Sequence, residues 1–93
     1  MGRAKTIRCP AGEWTTLVSN FGSGIPRTFR VRLTAADGAP VAGEFEEAAA
    51  AWVFPRPPRS GELRPEMEFH RRWINAIYKI RVRPRADLTA EIR

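Results

Sequence analysis

The sequence predicts an all-β fold, an antiparallel β-sandwich (jelly-roll-like) or small barrel of about seven or eight short strands. Two observations carry that expectation. The apolar period along the chain is two rather than 3.6: in "TFRVRLT" (28–34) Phe29, Val31 and Leu33 alternate with Arg30 and Arg32, and in "AIYKIRVR" (76–83) Tyr78, Ile80 and Val82 alternate with Lys79, Arg81 and Arg83. Turn-forming clusters rich in Pro, Gly and Asp also interrupt the chain at intervals of roughly 8–14 residues, the rhythm of a small β domain.

The elements follow in order. "TIRC" (6–9) reads as a first strand stopped by Pro10-Ala11-Gly12, and "EWTTLVS" (13–19), rich in Trp, Thr and Val, as a second. "NFGSGIP" (20–26) is a Gly-rich loop before the strand 28–34. "AADGAP" (35–40) holds Asp37-Gly38, a hairpin turn signal that makes "VAGEFEE" (41–47) the returning strand, weakened by Gly43. "AAAAWVF" (48–54) sets four helix-favouring alanines against Trp52, Val53 and Phe54; we read it as a strand preceded by an irregular or helical turn. "PRPPRSGELRP" (55–65) has four prolines and is expected to be an exposed, semi-rigid loop or arm. "EMEFHRRW" (66–73) places Met67, Phe69 and Trp73 on one side. The strand 76–83 is broken by Pro84, and "DLTAEI" (87–92) returns with Leu88, Ala90 and Ile92 inward.

A length of 93 residues makes one domain, 1–93, and 43% apolar with 10% aromatic residues is enough for a core. The single cysteine, Cys9, excludes an internal disulfide and reads as a small core residue. Residues 1–20 lack a continuous apolar run and no stretch reaches membrane-spanning length, so neither a secretory signal nor a transmembrane helix is expected.

Enzyme chemistry finds little support. His70, the one histidine, shares a predicted strand face with Glu68 and Arg72, an acid–base pair in principle and a cross-strand or solvent-facing histidine otherwise. The serines stand in no nucleophile-elbow context, "FGSGIPR" (21–27) lacks the Gly-Lys-Ser/Thr ending of a P-loop, and no His/Cys/Asp/Glu cluster has metal-ligand spacing. No catalytic residue, metal, cofactor or small-molecule substrate is implied.

Charge distribution is the sharper signal. The formal charge is +6, and 14 of the 16 cations are Arg. Residues 1–35 carry net +5, residues 36–70 net −4 and residues 71–93 net +5. Alternation puts Arg30, Arg32, Lys79, Arg81 and Arg83 on outward faces, with Arg85 just beyond. Were the two long strands to share a sheet, these cations would form one patch able to meet phosphates or carboxylates. Phe29 and Tyr78 fall on the opposite, apolar face, so the cationic face is expected to lack the aromatics on which single-stranded nucleic acid stacks. The acidic middle, Glu44, Glu46, Glu47, Glu66 and Glu68, offers complementary partners, either across strands of one chain or head-to-tail between copies.

"PAGEWTTLVSNFGSG" (10–24) and "GELRPEMEFHRRWINAIYKIRVRPRADLTAEI" (61–92) resemble the opening and closing regions of small β-sandwich virion proteins of tailed bacteriophages, which decorate capsids, close heads or form fibre and spike modules. The resemblance covers about half of the chain and is one of strand and turn pattern. The arginine density of the penultimate strand and the Pro-rich insert depart from it, and it defines no functional residue. It implies a structural or assembly protein acting in multiple copies, in a virion or the host cytoplasm. Such a protein would dock on itself or another structural protein through the arginine faces and through Pro55, Arg56, Pro57, Pro58 and Arg59. A nucleic-acid-binding module using the same cations is the alternative.

Overall fold

In a computed structural model that describes residues 4–21, 26–50, 58–71 and 77–93, the described chain forms eight strands: β1 (Lys5–Cys9), β2 (Thr15–Phe21), β3 (Arg27–Ala35), β4 (Gly43–Ala50), β5 (Arg59–Glu62), β6 (Glu66–Arg71), β7 (Ile77–Pro84) and β8 (Leu88–Ile92). They build two four-stranded antiparallel sheets of order β1-β8-β3-β6 and β2-β7-β4-β5. Four ladders are nested about the β4–β5 hairpin: β4 with β5, β3 with β6, β2 with β7 and β1 with β8. The chain is thus one long antiparallel ribbon rolled on itself, and the β3·β8 and β4·β7 ladders close the two sheets. This is the double-sheet jelly roll, a sandwich rather than a barrel.

Period-two alternation decides what each sheet buries. The first sheet turns in Cys9, Phe29, Val31, Leu33, Phe69, Leu88, Ala90 and Ile92; the second turns in Leu17, Val18, Tyr78, Ile80 and Val82, with Leu63 after β5 completing the core. Phe29 stacks on Tyr78 across the two sheets at 5.9 Å between ring centroids, and Phe45 meets Phe69 edge-on at 5.3 Å. Leu17 and Val18 are neighbours in sequence yet both buried, because a β-bulge shifts the β2·β7 register between Thr16 and Val18. Gly61 lies opposite Phe45, and a Cβ there would stand 2.8 Å from the ring, so the aromatic covers the glycine.

Several expectations change. Asp37-Gly38 does not make a hairpin: Ala36–Gly38 is a single 3₁₀ turn that carries the chain from β3 in one sheet to β4 in the other. Ala48–Ala50 continue β4 rather than starting a new element, since pairing with β7 outweighs the helix preference of alanine. Trp52, Val53 and Phe54 lie outside the described residues, as does Trp73. The loop expected over 55–65 is a strand from Arg59 to Glu62, because between Pro58 and Pro65 every residue has an N–H to give to the ladder with β4. Leu63 is buried, so this stretch is no free arm. Pro58 is exposed, and Pro55, Arg56 and Pro57 lie outside the described residues. Pro84 ends β7 as expected, its carbonyl accepting the Gly12 N–H at 2.8 Å.

Candidate functional site

The long strands β3 and β7 belong to different sheets, so the condition for a single cationic patch is not met. Arg30 and Arg32 project from the outer face of the first sheet; Lys79, Arg81 and Arg83 project from the outer face of the second, on the other side of the molecule.

Register then places a carboxylate opposite nearly every one of these arginines. On the first sheet Arg30 faces Glu68 (3.5 Å) and Arg32 faces Glu66 (3.7 Å), with Glu91 on the other side of Arg32 and bonded in turn by Arg93 at 3.1 Å. On the second sheet Arg81 reaches one oxygen of Glu46 through Nη2 (2.7 Å) and Nε (2.9 Å), and Arg83 pairs with Glu44. In-chain pairing, one of the two arrangements the sequence left open, therefore occupies Glu44, Glu46, Glu66 and Glu68. Most of these pairs are exposed and stabilise the fold little, about 0–1 kcal/mol each. Among the described residues, Lys79 is the cation of the second outer face with no carboxylate partner.

The second outer face also carries an aromatic the sequence pattern did not place there. Trp14, just before β2, is partly exposed, and the guanidinium carbons of Arg81 and Arg83 stand 4.4 and 5.0 Å from its ring centroid. The β2 bulge reverses the strand's inside–outside phase, and phase cannot be read through a bulge from sequence. Arg85 is exposed in the β7–β8 turn at the far end, its N–H donated to the Ala42 carbonyl.

His70 sits opposite Thr28 on the outer face of the first sheet, with Nδ1 3.1 Å from Thr28 Oγ1 and Nε2 3.2 Å from Glu68 Oε1. Glu68 is shared with Arg30, and the whole cluster is exposed. Burial pushes the Cys9 thiol up from its ordinary range, which suits a core residue and not a nucleophile.

The most unusual placement is at one end of the sandwich. There β2, β4 and β6 stop and β3, β5 and β7 begin. Arg27 shares the inward parity of Phe29, and Arg71 that of Phe69; across from them, Glu47 and Arg59 pair in register and stand on the parity of Ile80. The side chain of Glu47 is only 13% exposed. It accepts a hydrogen bond from the Tyr78 hydroxyl and an ion pair from Arg59 Nη2 at 2.8 Å. The guanidinium carbons of Arg27 and Arg71 lie 4.8 and 5.7 Å from the Phe29 ring centroid. Sequence reasoning had singled out Glu47 and Arg59 but missed Arg27, Arg71 and Tyr78. The signal was present: both arginines fall on the apolar phase of their strands.

Tyr78 is held above the usual phenol range, first by burial, then by its hydrogen bond to Glu47 and the charge of that carboxylate, with Arg59 and Arg71 pulling the other way. The phenol therefore stays a donor to Glu47. Because the folded value is raised, this contribution to stability is complete below the unfolded phenol value of about 10 and declines as pH rises beyond it. Urea midpoints measured from pH 8 to 11 should fall for the native chain more than for Tyr78→Phe; parallel curves would show that the phenol titrates alike in both states.

Among the described residues no group of three or more His, Cys, Asp or Glu side chains is arranged to hold a metal, and no helix is long and apolar enough to cross a membrane. No protein-family model, curated protein or solved structure matches this chain.

Proposed function

We propose that this chain is a non-enzymatic structural module that works in multiple copies, as a component of a tailed-bacteriophage virion such as a capsid-decoration or head-closure protein. The observation that carries the reading is the strand order β1-β8-β3-β6 over β2-β7-β4-β5. Jelly rolls of this kind serve in viral capsids, lectins and cupins, and the architecture alone does not choose among them. Phe29, Tyr78, Phe69, Ile80 and Val82 pack the sandwich interior as a core, which supports a structural role. The strand-and-turn resemblance of residues 10–24 and 61–92 to small virion proteins points the same way.

Docking would use the outer rows of alternating charge. An exposed pair such as Arg32–Glu66 is worth so little within one chain that its members can exchange partners with a neighbour's rows at small cost. Sedimentation velocity over a range of concentrations at low salt should show self-association that added salt reverses.

Nucleic acid is the competing partner, favoured by Trp14 beside Arg81 and Arg83. Both guanidiniums are turned to Glu46, Glu44 and the indole, so a phosphate would have to displace those carboxylates. A chain that stays monomeric at every concentration, yet binds random DNA at micromolar or tighter affinity in physiological salt, would replace the assembly reading with this one.

A further inference from the structure

The first sheet runs β1-β8-β3-β6, so among the described residues β1 and β6 each have a ladder on one side only. Leu33 gives its N–H to the Pro65 carbonyl, which sets Met67, Phe69 and Arg71 toward β3 and turns the amides of Glu66, Glu68 and His70 to the free edge. Arg30 and Arg93 are joined by both of their N–H groups, so Thr89, Glu91 and Arg93 face β3 while Leu88, Ala90 and Ile92 face β1. The register partners of those three are Cys9, Ile7 and Lys5, which leaves the amides of Thr6 and Arg8 at the opposite free edge. The edges of the second sheet are blunted: β2 carries a bulge, and β5 is only four residues long. The registers of β1 and β6 are unbroken.

The two edges of the first sheet are complementary. Strand β1 carries Lys5 and Arg8 and no carboxylate, whereas β6 opens with Glu66 and Glu68. Because strand direction alternates across the sheet, β1 of a second copy laid beside β6 continues the antiparallel order. Setting Arg8 of that copy opposite Glu66 brings its Thr6 opposite Glu68, so the free amides of both edges meet. Arg8 is exposed and faces Thr89 within its own chain. On the outer face the row Glu91, Arg32, Glu66 already alternates in sign, and Arg8 of the second copy extends it. On the inner face Ile7 falls opposite Met67, both half-buried at the margin of the core. Sliding the copy by two residues is the smallest step that keeps faces and amides in phase. It sets Arg8 against Arg64 in one direction and Lys5 against Arg71 in the other, like charges in both cases. Pairing β6 with itself about Met67 or Glu68 sets glutamate against glutamate.

We propose that β6 of one copy and β1 of the next join in an antiparallel ladder, so that the first sheet runs on from copy to copy. This rests on the multi-copy reading and names the surface that makes the contact. The contact is head-to-tail, since its two surfaces differ, and it repeats into a ring or an open array. Main-chain hydrogen bonds give the ladder its affinity, and the Arg8–Glu66 and Ile7–Met67 pairs fix its register. The partner is a second copy because the same chain carries both complementary edges.

Sedimentation velocity at low salt, combined with residue-resolved amide hydrogen exchange, tests it. The native chain is expected to associate, and exchange at Thr6, Arg8, Glu66 and Glu68 should slow as concentration rises. Arg8→Glu and Glu66→Arg should each weaken association at least about tenfold, because each sets like charges opposite in the ladder. Arg85→Glu makes the same charge change as Arg8→Glu in the exposed β7–β8 turn and should leave association nearly unchanged. The double variant Arg8→Glu/Glu66→Arg should regain it. A native chain that associates with no slowing at those four amides, or that loses as much from Arg85→Glu as from Arg8→Glu, overturns the edge ladder and leaves the multi-copy reading standing. A native chain that stays monomeric at every concentration overturns both.

Discussion

Replacing Gly43 with alanine is expected to destabilise the protein by about 2–4 kcal/mol, combining backbone strain with overpacking. Gly43 opens β4 with φ +139°, a region that residues with a Cβ rarely enter. A Cβ built there meets the Arg83 carbonyl oxygen, and stands 2.6 Å from Pro84 Cα and 2.9 Å from Leu63 Cδ1. Two of those three neighbours are backbone of the central strand β7 and have nowhere to go. The Gly43 carbonyl also accepts the Leu63 N–H at 3.0 Å, so relief by shifting β4 would disturb the chain beyond β5. Gly12 supplies the comparison. Its φ is +75°, but nothing lies within 4 Å of its would-be Cβ, so alanine there should cost only about 1 kcal/mol. Urea denaturation of the two variants side by side checks the ordering; equal losses would mean that close approach to β7 contributes nothing.

Phe69→Ala should cost about 3–5 kcal/mol, a large part of the roughly 5–15 kcal/mol that holds a domain together. Phe69 is 1% exposed and sits on β6, an edge strand of the first sheet. Its ring meets Phe45 of β4 edge-on, with an interplanar angle of 78°, and Phe45 in turn covers Gly61 of β5. One ring therefore joins the edges of both sheets, and no side chain at Gly61 can fall into the space left behind. A fall in Tm of at least about 12 °C is expected for a domain of this size. Phe69→Leu, which keeps most of the volume, should lose far less. A loss below about 1 kcal/mol for alanine would show that the two sheets do not meet through this residue.

The strands that were legible from sequence are those whose pattern is local. In β3, β7 and β8 the inward sets Phe29/Val31/Leu33, Tyr78/Ile80/Val82 and Leu88/Ala90/Ile92 follow from alternation alone, because successive side chains of any strand point to opposite faces. Strand β5 was hidden by the prolines on either side of it. The phase of β2 was hidden by its bulge, which is why Trp14 was not placed beside Arg81 and Arg83. Arg27 and Arg71 were readable as inward by parity, but an inward arginine at a strand end has meaning only once the facing strands are known.

By itself, then, the sequence determined the β class, the buried face of the long strands, a core cysteine and an alternation of arginine with apolar residues. Only the tertiary structure decided that β3 and β7 lie in opposite sheets, that the Asp37-Gly38 turn crosses between them, and that Arg30, Arg32, Arg81 and Arg83 meet carboxylates of their own chain. The division has a physical cause. Which way a side chain points depends on two neighbouring residues. Which strand lies alongside depends on ladders such as that between Lys5 and Ile92, whose partners stand at opposite ends of the chain.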